Sequence, residues 1–112
     1  MGVFKAAAVQ MRSGTSVDRN AADMERLIRE AAAQGATYVQ TPEMTGALLR
    51  DKEARAASFV SEDRDLVVST ARRLASELGI FLHIGSTAIL RADGKIANRA
   101  LLFSPEGKTL AS

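Results

Sequence analysis

The chain has 112 residues, of which 46% are hydrophobic and 25% charged, an ordinary balance for one small globular domain. Its fifteen basic and thirteen acidic residues are interleaved, no Lys/Arg run exceeds two, and one Tyr and four Phe offer little stacking surface, so the composition argues against a nucleic-acid binder. The lack of cysteine excludes disulfides and thiolate metal sites, and the single histidine, His83, cannot build a histidine cluster, so no cofactor or metal is expected.

The opening run from Val3 to Met11 contains Lys5 and Gln10, too short and too polar for a signal peptide or a membrane span, and cytoplasm is the default compartment. Bounded by the turn-prone stretch Arg12 to Ser16, it reads as a mostly buried strand inside a sheet. Val17, Ala21, Met24, Ile28 and Ala31 then recur at spacings of four and three, the stripe of a helix packed on that sheet. Asp18 or Asn20 is expected to cap its start and Gly35 to end it.

Ala36 to Thr41 supplies a second strand, rich in β-favouring residues and stopped by Pro42, and strand, helix, strand in this order predicts a parallel pair. Met44 to Val60 reads as a long connection with a short helix around Asp51 to Ala57. A second amphipathic helix carries Val67, Ala71, Leu74 and Leu78 on one face, has Glu62, Asp63 and Asp65 near its start, and stops at Gly79. Ile80 to Leu90 and Ile96 to Phe103 are strands joined through the hairpin-favouring Asp93-Gly94 pair. Ser104-Pro105-Glu106-Gly107 makes another turn, with Pro and Gly where a type I turn prefers them. A last strand begins at Lys108 and reaches only Ser112, so the hairpin reads as incomplete and the chain as truncated.

Glu43 is the candidate for chemistry. It directly follows a strand and a proline that sets the exit of the chain, and ligands of open α/β sheets bind beyond the carboxyl ends of the strands. A carboxylate there can act as general base if desolvation raises its proton affinity, whereas the plain alternative is a solvated turn glutamate. His83 alternates with Leu82 and Ile84 and reads as a hydrogen-bonded core histidine. Ser86 lacks the spacing of a nucleophile elbow and reads as structural, and the Gly14 loop lacks a phosphate-binding glycine pattern and reads as a strand-to-helix connection.

Several segments together resemble the nitrilase superfamily of carbon-nitrogen hydrolases. Ala7-Ala8-Val9-Gln10-Met11 is similar to its first strand, Asn20 to an asparagine common in the following helix, and Ala31 to Ala36 leading into Val39-Gln40-Thr41-Pro42-Glu43 to its helix, glycine and strand ending in Pro-Glu. Ile84-Gly85-Ser86 resembles the next core strand, and Asn98-Arg99-Ala100 through Ser104-Pro105-Glu106-Gly107-Lys108 the asparagine-containing strand and Pro-x-Gly turn. Thr41 departs from the pattern, which usually has a more apolar residue there.

The resemblance implies an α/β fold, part of a nitrilase-like αββα sandwich, with a sheet covered by two helices and residues 1–112 forming the N-terminal part of a single domain. It also implies a cysteine, glutamate and lysine triad, of which only the glutamate carries over, to Glu43. Lys108 belongs to the turn and is not the catalytic lysine, and both that lysine and the cysteine are expected beyond this chain. Hydrolysis of small amides of the omega-amidase or aliphatic-amidase type is the implied activity of the full-length enzyme, with homo-oligomers, a small-molecule substrate, and neither nucleic acid nor membrane as partner. A non-catalytic α/β binding module and a nucleotide binder using the loop at Gly14 are the competing readings. Val39, Leu82, Ile84 and Leu101 are expected on buried sheet faces, left as an apolar patch if the second layer is missing.

Overall fold

The computed structural model describes residues 3–14, 16–43, 45 and 59–112. In chain order these form β1 (Ala6–Ala8), α1 (Val17–Ala33), β2 (Tyr38–Gln40), a single 3-10 turn (Glu62–Arg64), α2 (Leu66–Leu78), β3 (Phe81–Leu90), β4 (Ile96–Phe103) and β5 (Thr109–Ala111). The short helix expected around Asp51 to Ala57 lies outside the described residues. The five strands make one sheet in the order β1-β2-β3-β4-β5, parallel from β1 to β3 and antiparallel from β3 to β5.

Register divides the sheet into two unlike faces. Ala7, Val39, Leu82 and Phe103 form one row across the strands, and Ala8, Gln40, His83 and Leu102 form the adjacent row on the other side. The first row joins a core with Met24 and Ile28 of α1 and Val67, Ala71 and Leu74 of α2. Each such fully buried large side chain contributes about 1.5–3 kcal/mol, so this face holds the layers together. Val39, Leu82, Ile84 and Leu101 are buried here, beneath the two helices. The expectation that they would be bared by a missing layer is therefore corrected. The face without helices carries Tyr38, Gln40, Phe81, His83 and Leu102 instead, half-buried or exposed.

The first strand is also corrected. It is three residues long rather than nine, lies at the sheet edge, and leaves Val3 and Phe4 exposed. The reason is its neighbour: β2 is equally short, and the ladder ends where Thr37 N–H donates to the Lys5 carbonyl and Val9 N–H to the Gln40 carbonyl, both at 2.9 Å. Pairing, and not the apolar run, sets the length of an edge strand.

Helix α1 begins one residue before the expected cap at Asp18, so the cap is Ser16, whose hydroxyl accepts from Arg19 N–H at 3.3 Å. Asn20 falls inside the first turn, buried, and its carboxamide bridges Gly14 by accepting from the N–H and donating to the carbonyl, each at 3.0 Å. Gly35 and Gly79 terminate their helices at positive φ, as expected. The two helices are also tied by Glu25, which accepts from Arg73 at 2.7 Å and from Arg29 at 3.0 Å. Such exposed pairs add little net stability, because water and salt screen them.

The β3–β4 and β4–β5 turns share one pattern. Gly94 N–H donates to the Arg91 carbonyl and Arg91 N–H to the Lys95 carbonyl, and Gly107 and Ser104 repeat this with the Ser104 and Lys108 carbonyls. Both are thus three-residue-loop hairpins closed by a type I turn, a longer connection than the two-residue loop an Asp-Gly pair most often makes.

Asp65 caps α2, its carboxylate accepting from Val68 N–H at 2.9 Å. Burial raises its carboxyl above the ordinary carboxylate value, against the lowering effect of the Val68 and Val67 amides. A folded-state value above the unfolded one means the ionised form subtracts stability as pH rises through that range. Asn caps about as well as Asp but carries no charge to desolvate, whereas Ala loses the cap at a cost of about 1 kcal/mol. At pH 7, Asp65→Asn is therefore expected to match or exceed the parent chain in urea unfolding, its advantage shrinking on acidification, while Asp65→Ala is less stable. Equal destabilisation by both substitutions would contradict this account of Asp65.

Candidate active site

Beyond Gln40 the chain leaves regular pairing but stays against β3. Thr41 N–H donates to the His83 carbonyl at 2.9 Å, and four residues later Thr45 N–H donates to the Ser86 carbonyl, also at 2.9 Å. Between these two anchors lie Pro42 and Glu43. Pro42 has no N–H to give a ladder, so regular pairing must end there.

β3 is shaped to receive this turn. Its pairing with β4 shifts between Ile84 and Thr87, so that Gly85 and Ser86 stand opposite the single residue Ala100. This bulge exchanges the faces of the strand: Leu82 and Ile84 before it and Ile89 after it all reach the helix-side core. Gly85 lies directly under the turn. A Cβ at this position would collide with the Thr41 carbonyl oxygen and come within 2.7 Å of the Pro42 carbonyl carbon and oxygen. Only glycine lets the two main chains meet.

Thr41 and Thr45 are buried, at 1% and 0% exposure, and their hydroxyl oxygens lie 2.9 Å apart. Gly85 N–H donates to Thr41 Oγ1 at 3.2 Å, and the Thr45 hydroxyl donates to the Pro42 carbonyl at 2.6 Å. Glu43 itself is exposed. The structure thus places it on a braced turn at the carboxyl end of the central parallel strand, with its side chain toward solvent. The turn follows β2 and Pro42 in the order the sequence predicts, while the desolvation that a general base requires is not provided by the described residues.

The other residues singled out from sequence lie elsewhere. His83 is half-buried on the helix-free face, its Nδ1 hydrogen-bonded to the Tyr38 hydroxyl at 2.9 Å. It is hydrogen-bonded as expected, yet outside the core. Ser86 is buried and serves the turn through its carbonyl. At the Gly14 loop, Arg12, Gly14, Ser16, Arg19, Asn20 and Asp23 line a groove of about 320 Å³, but the Gly14 N–H is already taken by Asn20, and Asp23 adds a carboxylate. That suits a strand-to-helix brace better than a phosphate cradle.

Lys108 follows Phe103, which pairs with Leu82 and through it with Val39, so it sits at the end of the sheet where β2 begins. Glu43 is at the opposite end. No group of three or more His, Cys, Asp or Glu able to hold a metal occurs among the described residues, and no described helix is long and apolar enough to cross a membrane. Neither Thr45 nor Gly85 stands out in the sequence as part of the site, and Thr41 stands out only as a departure from the family pattern. The available signal was the polar residue at the end of an otherwise apolar buried strand, since such a group needs a partner.

Comparison with known proteins bears on all of this. Among curated proteins, none matches the chain significantly. Solved structures do: an N-terminal amidase with a Gln-Gly peptide superposes with a TM-score of 0.76 at 15% identity, over 93% of this chain and 26% of its own. The C. elegans NitFhit protein gives 0.82 at 22% identity, over 95% and 26%. An amidase from Nesterenkonia sp. AN1, with acrylamide added at its active-site cysteine, gives 0.80 at 22%, over 97% and 42%. At such identities the likeness establishes the fold, and the chain spans between 26% and 42% of the length of these structures. The model of the carbon-nitrogen hydrolase family matches residues 5–112, nearly the whole chain. The chain therefore belongs to the carbon-nitrogen hydrolase family, within the nitrilase superfamily.

Proposed function

We propose that this chain supplies the general base, Glu43, of an amidase site whose cysteine nucleophile and oxyanion-stabilising lysine come from polypeptide following residue 112. The observation that carries the reading is the placement of Glu43 on a braced turn at the carboxyl end of β2, which is flanked on both sides by parallel strands. This is where open α/β sheets bind ligands.

The chemistry follows from the residues required. A thiol proton moves to the Glu43 carboxylate as sulfur attacks the amide carbon, and the negative charge collects on the carbonyl oxygen, where a lysine ammonium stabilises it. Collapse expels the amine, which takes up the proton, and leaves a thioester. Glu43 then removes a proton from water, which attacks the thioester and releases the acid and the thiol. With no cysteine in its 112 residues, the chain cannot form that thioester alone. The Nesterenkonia amidase, by contrast, has an active-site cysteine.

Two features of the fold support the missing parts. β5 is antiparallel to β4 and so runs from the Lys108 end of the sheet toward the Glu43 end. A lysine a few residues past Ala111 on this strand would lie at the same end of the sheet as the turn that carries Glu43, three strands away. The helix-free face offers Tyr38, Phe81, His83 and Leu102 to a second layer, and such a cover would exclude water and strengthen a carboxylate base. Small amides of the omega-amidase or aliphatic-amidase type are the substrate class, with nitriles less favoured, and the complete enzyme is a cytoplasmic homo-oligomer.

The 112-residue chain alone is expected to show no amide turnover and no thioester by intact mass after incubation with substrate; either signal from pure chain overturns the proposal. In the enzyme expressed from the uninterrupted reading frame, Glu43→Gln is expected to lower kcat at least about a hundredfold, with thermal unfolding unchanged. Activity near that of the parent, or a stop codon directly after Ser112, would instead favour a non-catalytic binding module.

A further inference from the structure

We propose that Thr41 is a positioning residue for the reaction assigned to Glu43, acting through a directed hydrogen-bond chain that fixes the turn on β3. The inference rests on the reading of Glu43 as general base, and it concerns a residue where this sequence departs from the more apolar pattern of its family.

The direction of the chain follows from its ends. Gly85 N–H can only donate and the Pro42 carbonyl can only accept, and each threonine hydroxyl has one proton. The Thr45 proton is engaged by Pro42 at 2.6 Å, so the contact of 2.9 Å between hydroxyls must use the Thr41 proton. Thr41 Oγ1 in turn accepts from Gly85 N–H at 3.2 Å. The order is Gly85 N–H to Thr41, Thr41 to Thr45, Thr45 to Pro42.

This chain encloses Glu43. Pro42 precedes it, Thr45 follows it by two residues, and the bond between them closes a ring through its backbone. Thr41 attaches the ring to β3, where Thr45 N–H adds a second tie at the Ser86 carbonyl. Both hydroxyls are buried, so water does not compete, and aligned hydroxyls polarise one another. The exposed Glu43 carboxylate is thus aimed from a backbone that β3 holds, and displacement by about 1 Å can cost about a hundredfold in rate.

The test compares Thr41→Val, Thr41→Ser and Thr45→Val in the enzyme from the uninterrupted reading frame, with kcat normalised to cysteine titrated by a substrate burst. Valine keeps the shape of threonine and removes the hydroxyl. Thr41→Val is expected to lower kcat about ten- to a hundredfold with KM changed less than about twofold, and Thr41→Ser to restore most of the loss. A residue that only stabilised the fold would reduce the titrated fraction and leave kcat per titrated site unchanged. Should Thr41→Val fail to fold, Thr45→Val decides, since it breaks the next link and keeps the Gly85 contact. Parent-like kcat per site in the valine variants, with Glu43→Gln inactive, overturns the role of Thr41 alone. An active Glu43→Gln overturns the general-base reading on which it stands.

Discussion

The turn after β2 seats on β3 over Gly85, where there is no room for a Cβ, and the arrangement around Glu43 depends on it. A side chain there would collide with the Thr41 carbonyl and crowd that of Pro42, so the turn could not seat on β3. With glycine in place, the bulged strand presents an N–H to Thr41 and a carbonyl to Thr45, one on each side of Pro42 and Glu43. A proline that ends regular pairing and a strand that bulges opposite it thereby become one rigid feature. Each alone would be an irregularity in a sheet.

Contact with the helices organises the rest. One face of the sheet is sealed by α1 and α2 through a continuous apolar core, and the helices are tied on their outer side by Glu25, Arg29, Arg73 and Glu77. The other face has no helix and carries a mixed set: the Tyr38–His83 hydrogen bond, an exposed Phe81 and the half-buried Leu102. Such a surface can pack against a further layer without becoming a large bare apolar patch in its absence, because polar atoms interrupt it. Its chemistry suits the family's layered architecture and contrasts with the first face, whose core residues are all apolar.

Exposure of Glu43 gives these two observations a functional connection. A carboxylate becomes a stronger base when water is removed, and an exposed one needs a cover that comes from elsewhere. The backbone of this turn is tied to β3 on both sides of Pro42 and Glu43, whereas the Glu43 side chain faces solvent. On the general-base reading proposed for Glu43, this chain supplies the positioning and polypeptide packed over it the desolvation, a division that suits a rigid scaffold with a variable pocket.

The sequence by itself determined the type and order of the elements and the location of Glu43. The 3.6-residue period marks α1 and α2, apolar runs bounded by turn residues mark β3 and β4 nearly to the residue, and Gly35, Gly79 and Pro42 end segments for purely local reasons. Tertiary structure alone decided the rest. The shortness of β1 came from the ladder available on β2, the cap of α1 passed to Ser16 because helix entry was set by Asn20 bracing Gly14, and Leu82 and its neighbours faced the helices instead of the open side. Thr41, Gly85 and Thr45 lie up to 44 residues apart, and no local pattern announces a hydrogen-bond chain across that distance. It exists only once parallel pairing has brought the end of β2 alongside the bulge in β3.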